Sequence, residues 1–366
     1  MTRVAVIGAG VVGLAAARAL ARRGITCVIF EQGAPGGGQS AGESRIFRHA
    51  HDDRRQFELA VRARRGWVEW EREFGVQLIS GDGAMVIGSR AVARLQRYAD
   101  EPVCQVRELS GGQISEALPI LAEYEGPALI DEGAGAIRTR LTIAGLIGSP
   151  GPELMPERVE SVIPRPQGGV EVICESGTGS FDAAIVAAGA GTGHLASRAG
   201  ISIPSSTQAH MRLTLPVSGE SAPSRLACLQ DSSDAFGESI AYGSPVRGNR
   251  EYAVGLAISV EADPERPAPD SLADVADRTR AYVERAMPGL DCGGAVSFQR
   301  WVTELPWAAD GLAIWQRDDA YFIAGHNLFK LAPALGETLA DCVQDGSVVP
   351  GFRPADRLGE PMLEAR

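Results

Sequence analysis

Val4-Ala5-Val6-Ile7 runs directly into Gly8-Ala9-Gly10-Val11-Val12-Gly13, and Leu14 to Arg23 follows with apolar residues at helical spacing. The first run is continuous and β-favouring, as expected of a strand buried on both faces of a parallel sheet. Gly24 stands where a helix end needs positive φ, Thr26 to Phe30 reads as a second buried strand, and Glu31 closes it. The glycines match G-x-G-x-x-G. Gly8 would permit the tight turn, Gly10 a close approach of backbone to a pyrophosphate, and Gly13 close packing of helix on strand. The pyrophosphate would rest on free amides around Val11 and Val12. Glu31, with Gln32 beside it, sits where a carboxylate accepts hydrogen bonds from a ribose. An acid there argues against NADP and leaves NAD and FAD open. A glycine-rich turn with nothing bound is the alternative.

Around this unit, 366 residues are enough for two domains. A net charge of −11 argues against nucleic acid, and an anionic substrate would need a locally positive pocket. No signal peptide is visible and no apolar run is long enough to span a membrane, so a cytoplasmic protein is expected. Six scattered cysteines with no C-x-x-C pair predict neither disulfides nor a metal site. Of the 35 basic residues all but Lys330 are arginine.

In Ser44 to His51, Arg45 and Arg48 are three apart, so on a helical turn they would share one face. Two guanidinium groups there would suit phosphate, a flavin ring or a carboxylate. A solvated basic face continued by Arg54 and Arg55 is the alternative. Gln56 to Phe74 predicts an amphipathic helix with Phe57, Val61, Trp67, Val68 and Phe74 in the core. Gln77 to Ile87 suggests a hairpin, Gly111 to Leu118 turns and short strands, and Arg138 to Ile147 a helix. A hairpin follows from Val159 to Cys174. The strand from Phe181 ends in small residues, including Ala188 and Gly189, that would let backbone approach a ligand. From His210 to Ser259 alternating strands without crossover helices predict a separate antiparallel sheet, covered by a helix from Asp270 to Met287. A further strand holds Arg300, and a strand, a glycine turn and a helix from Ala320 to Val343 return to the first domain. The polar tail after Gly346 is expected to dock loosely.

Three pieces together resemble the amine-oxidising flavoproteins of the D-amino-acid oxidase superfamily, most of all the sarcosine oxidase and glycine oxidase branch. They are the fingerprint Gly8 to Glu31, the stretch Gly42-Glu43-Ser44-Arg45-Ile46-Phe47-Arg48-His49, and Gly325-His326-Asn327-Leu328-Phe329-Lys330 with Gly336-Glu337. The resemblance implies a Rossmann-type FAD-binding domain (1–85, 138–207 and 297–366) with a mainly antiparallel substrate domain (86–137 and 208–296). It implies FAD as the cofactor, held by Gly8, Gly10, Val11, Val12, Gly13, Glu31, Gln32, Ser44, Arg45, Val159, Ala188, Gly189, Gly325, His326, Asn327, Leu328 and Lys330. Arg48 and Lys330 would bind a substrate carboxylate. Arg300 with Asp310-Gly311 resembles the carboxylate-binding arginine and Asp-Gly pair of glycine oxidases.

No cysteine stands at the sarcosine oxidase attachment position, here Gln299 to Thr303, so non-covalent FAD is expected. The flavin-activating lysine sought near Ala253 is absent too. The implied reaction is oxidation of the C–N bond of a small amino acid or N-substituted glycine by hydride transfer. The imine would be hydrolysed and oxygen would be the acceptor. A dehydrogenase passing electrons to a quinone or carrier protein is the alternative. His49 and His326 are candidates for proton handling or for structural roles.

Overall fold

Arg3–Ile7 forms the middle of a six-stranded sheet. The structure, a computed structural model, describes residues 2–263 and 270–361. The strand order is Leu312–Arg317, Ala320–Gly325, Ala183–Val186, Arg3–Ile7, Thr26–Phe30, Glu153–Met155, parallel except at the Leu312–Arg317 edge. Side chains of a strand alternate between faces, and both faces here are covered. Val4 and Val6 pack with the helix Val11–Arg22 and the C-terminal helix Ala332–Asp345. Ala5 and Ile7 pack with a three-stranded antiparallel sheet, Val159–Pro164, Val170–Cys174 and Gly177–Phe181. That is why the run shows no polar alternation.

The two helices on the first face lie unusually close. A methyl group on Gly336 would stand 2.6 Å from the carbonyl oxygen of Ala15. The helix Arg54–Phe74 packs on the same C-terminal helix, where a methyl group on Gly66 would stand 2.5 Å from Pro333 Cβ. Asp53 caps its start by accepting from Arg55 N, and Gly75, at φ 66°, ends it.

The second sheet has nine strands. Near one edge Ser206–Pro216 pairs antiparallel with Val296–Glu304 on one side and Glu251–Leu256 on the other. The helix Ser271–Ala286 covers this sheet with Leu272, Val275, Tyr282 and Val283, as the apolar spacing predicts. Ala84–Ile87 and Val296–Glu304 both belong to this sheet, and the expected boundaries at 85 and 297 fall inside these strands. Among the described residues no helix is long and apolar enough to cross a membrane.

Several local expectations are corrected. Ser44–Phe47 is a strand, paired with Gly135–Arg138, and not a helical turn. Gln77 to Ile87 is no hairpin: Ala84–Ile87 lies between Ala128–Asp131 and Cys228–Asp231. Gly111–Ala117 is a helix, helped by Gln113, whose side chain accepts from Ser110 N at 2.9 Å. Val68 is 39% exposed, on the outer face of its helix. The tail is firmly docked as far as it is described, with Phe352 and Leu358 buried and Gly359 N donating to Asp53 at 2.8 Å.

Candidate active site

A cleft of about 1510 Å³ opens along the carboxyl ends of the central parallel strands and is walled on its other side by the second sheet. Gly8, Gly10, Val11, Val12, Glu31, Gln32, Val159, Ala188 and Gly189 line one end. Gly8 takes φ +101°, and a methyl group on it would meet Ala187 O at 2.6 Å. A methyl group on Gly13 would meet Gly8 O at 2.0 Å. Only glycine permits this turn and this helix approach. Glu31 is fixed by two amides, Ala9 N at 2.8 Å and Gly33 N at 2.9 Å. Ser40 Oγ accepts from Val11 N at 2.9 Å at the start of the helix.

At the other end Asp310 gathers residues from two other segments. Arg48 donates to it, Asn327 Nδ2 donates to its Oδ1 at 2.5 Å, and Lys330 Nζ and His51 Nδ1 lie 3.7 and 3.4 Å from its Oδ2. Burial alone would push the Asp310 carboxyl up. The adjacent Lys330 and Arg48 outweigh this and hold it well below its usual range. Burial pulls the Lys330 ammonium down to about 7 against the opposing pull of Asp310. Trp67 steadies this turn by donating from its indole to Lys330 O at 2.8 Å.

Burial of Lys330 leaves a pH signature. Its usual value is 10.5, so between about 7 and 10.5 the unfolded chain binds more protons than the folded one. Stability therefore rises with pH across that window. Chemical denaturation should show this rise in the native protein and its loss in Lys330→Met.

Arg45 and Arg212 sit deeper. Arg45 donates to the carbonyls of Ser44, at 2.9 Å, and Ala41. Arg212 donates to Ser44 O at 3.0 Å, Ser244 Oγ at 3.0 Å and Ala253 O at 3.3 Å. Ser44 Oγ meets Ser244 Oγ at 2.8 Å. Burial, then Arg300 and Arg212, pull the Arg45 guanidinium well below its usual range. Arg300 also lines the cleft, and among the described residues it has no ion-pair partner. Gly325, His326, Asn327 and Leu328 form the adjoining wall.

Arg48, Arg300 and Lys330 thus line one cleft, as do Arg45, Gln32 and the glycine loop. Ser44 stands one step behind it through Arg212 and Ser244. His49 does not line it. It is buried with its Nδ1 2.8 Å from Asp131 Oδ2, next to Cys104. Sequence reasoning missed Asp310 as the hub, as well as His51 and Arg212. The one available signal was the position of Arg212, two residues beyond His210 and so on the same face of a strand that also holds Ala209, Met211, Leu213 and Leu215.

The family described as DAO, FAD dependent oxidoreductase, matches residues 3–342. The chain belongs to the DAO family of FAD-dependent oxidoreductases. Solved structures similar to this DAO-family chain include the open form of NikD, described as an unusual amino acid oxidase essential for nikkomycin biosynthesis, with TM-score 0.83 and 18% identity over 99% of both chains. Others are iminodiacetate oxidase from Chelativorans sp. BNC1, with TM-score 0.76 and 21% identity over 96% of this chain and 99% of that one, and glycine oxidase from Geobacillus kaustophilus, with TM-score 0.72 and 22% identity over the same shares. At these identities the likeness is one of fold. No curated protein matches the chain.

The DAO-family cleft fits FAD by its own construction. A methyl-intolerant glycine turn, a helix N-terminus and a braced carboxylate lie at one end. Buried Arg212 Nε, Arg300 Nε and His326 Nε2, without partners among the described residues, line the other.

Proposed function

We propose that this flavoenzyme oxidises the C–N bond of a small amino acid or N-substituted glycine, giving an imine that water hydrolyses. The observation that carries the reading is the charge in the cleft. At the end of the cleft beside Asp310, which pairs with Arg48 and Lys330, the cations Arg45, Arg48, Arg212, Arg300 and Lys330 are gathered. Such an excess in an otherwise acidic protein suits a small anion. Arg300, without a carboxylate partner among the described residues, would clamp the substrate carboxylate through two parallel hydrogen bonds. Arg48 and Lys330, braced by Asp310, would complete the positive wall.

Gly8, Gly10, Val11, Val12, Gly13, Glu31, Gln32, Val159, Ala188 and Gly189 would hold the dinucleotide part of FAD. Ser44, Arg45, Gly325, His326, Asn327, Leu328 and Lys330 would surround the remainder. Bound FAD supplies the two-electron acceptor. The protein supplies orientation and fixed positive charge. Anaerobic flavin bleaching by glycine, sarcosine and longer N-alkyl glycines tests the reaction. A carboxylate-free amine should bleach it poorly, and equal turnover of such an amine would refute the anion clamp.

FAD is proposed to be held without a covalent bond, since no cysteine lines the cleft among the described residues. Acid precipitation should leave a yellow supernatant and a colourless pellet.

Oxygen is the proposed acceptor. The lysine sought near Ala253 is absent, but Arg212 donates to Ala253 O and could provide a fixed cation there. A dehydrogenase serving a quinone or carrier protein is the second reading, favoured by that missing lysine. Peroxide formation on mixing reduced enzyme with air separates the two.

A further inference from the structure

Two histidines line the cleft beside Arg300, and their hydrogen bonds fix where each carries its proton. His326 Nδ1 lies 2.9 Å from Ala309 O, which can only accept, so Nδ1 carries the hydrogen and Nε2 is bare. Ser259 Oγ donates to Glu304 Oε1 at 2.9 Å. Ser259 therefore accepts from His210 Nε2 at 2.7 Å, and His210 Nδ1 is bare. Both bare nitrogens are buried without a partner, and the rings meet edge to face at 5.5 Å. Only His210 has an outlet. Its chain runs through Ser259 to Glu304, whose side chain is 27% exposed.

We propose that His210, Ser259 and Glu304 form a proton relay that deprotonates the substrate ammonium and delivers its proton to solvent. The proposal rests on the amine-oxidising reading above. His210 pairs directly opposite Arg300 across the two strands, and both line the cleft. A carboxylate held on Arg300 therefore places an amine nitrogen, two bonds from the carboxylate carbon, beside His210 Nδ1.

The N–H bond of the ammonium breaks and a bond forms to His210 Nδ1. The hydrogen on Nε2 passes to Ser259 Oγ, and the Ser259 hydrogen passes to Glu304 Oε1. Once the cleft empties, loss of the Nδ1 hydrogen to water and return of one through Ser259 restore the starting tautomer. The groups facing His210 are Arg300 from the paired strand, Arg212 from its own, His326 from the adjoining turn, and Ser259 with Glu304 at the outlet. Burial, and then Arg300, His326 and Arg212, pull His210 down to about 3, so it passes a proton on and does not store one.

Ser259→Ala cuts the chain and Ser259→Thr restores a hydroxyl. Glu304→Gln removes the final acceptor at a partly exposed position. The probe is anaerobic flavin bleaching by the best member of the glycine and sarcosine series, followed against pH with an indicator dye reporting released protons. In Ser259→Ala and Glu304→Gln, bleaching should slow roughly a hundredfold where the free amine is protonated, the low end for general base catalysis. It should match the native rate where the amine is neutral, and proton release should lag bleaching. Ser259→Thr should return both to native behaviour.

A pH profile of Glu304→Gln superimposable on the native one overturns the relay, as does a rate loss equal at every pH. If Ser259→Ala fails to fold or loses FAD, Glu304→Gln carries the test alone. Absence of bleaching by any amine in the native protein overturns the functional reading itself, which separates the two failures.

Discussion

Arg300→Ala will raise the substrate concentration needed for half-maximal bleaching by about thirtyfold to several thousandfold while leaving FAD in place. Removing one partner of a desolvated, hydrogen-bonded charge pair costs roughly 2–5 kcal/mol, and each 1.4 kcal/mol is about tenfold. Arg300 is the substitution to choose because no carboxylate among the described residues pairs with it, so little else is lost with it. Arg48→Ala and Lys330→Ala would also strip a partner from Asp310 and mix binding with folding. Anaerobic titration checks the result. Loss of flavin colour in Arg300→Ala would assign this residue to the cofactor, and an unchanged half-maximal concentration would remove it from the site.

Asp310→Ala will produce the largest loss of stability, about 3–5 kcal/mol by chemical denaturation. It leaves Arg48 and Lys330 close together without the carboxylate between them, and breaking a buried ion pair from one side costs this much. Lys330→Met in the same background should recover part of the loss, and a double-mutant cycle measures that coupling. A loss below about 1 kcal/mol would mean that water already screens the cluster, as at an exposed pair.

Where the information was local, the sequence was enough. Val4 to Glu31 specifies strand, turn, helix and strand through residues that touch one another, and the structure reproduces each. The helix Ser271–Ala286 was equally legible from its apolar stripe. Ser44–Phe47 was misread because its partner, Gly135–Arg138, lies far along the chain, and an Arg-x-x-Arg spacing looks helical without it. On a strand, residues three apart face opposite ways, which separates Arg45 from Arg48. Asp310 was noticed beside Gly311 but not as a hub, since its partners at 48, 51, 327 and 330 meet it only in three dimensions. Gly111–Ala117 was a different failure. The Ser110 to Gln113 spacing was an available capping signal that the neighbouring glycines obscured.

The order of strands in the central sheet also governs when this protein can become a holoenzyme. Arg3–Ile7 leaves the ribosome well before one of its neighbours, Ala183–Val186, and Ala320–Gly325 must then be added beyond that. The glycine loop is therefore translated long before the turn carrying Lys330 that completes the same cleft. Pairings so distant in sequence form slowly, because the intervening loop must close before any contact rewards it. During synthesis the nascent chain holds a largely apolar strand paired on one edge only, with Thr26–Phe30, and with no cofactor to stabilise it. Flavin supply and chaperone protection thus bear on the yield of this enzyme at the same late moment, when the last central strand docks.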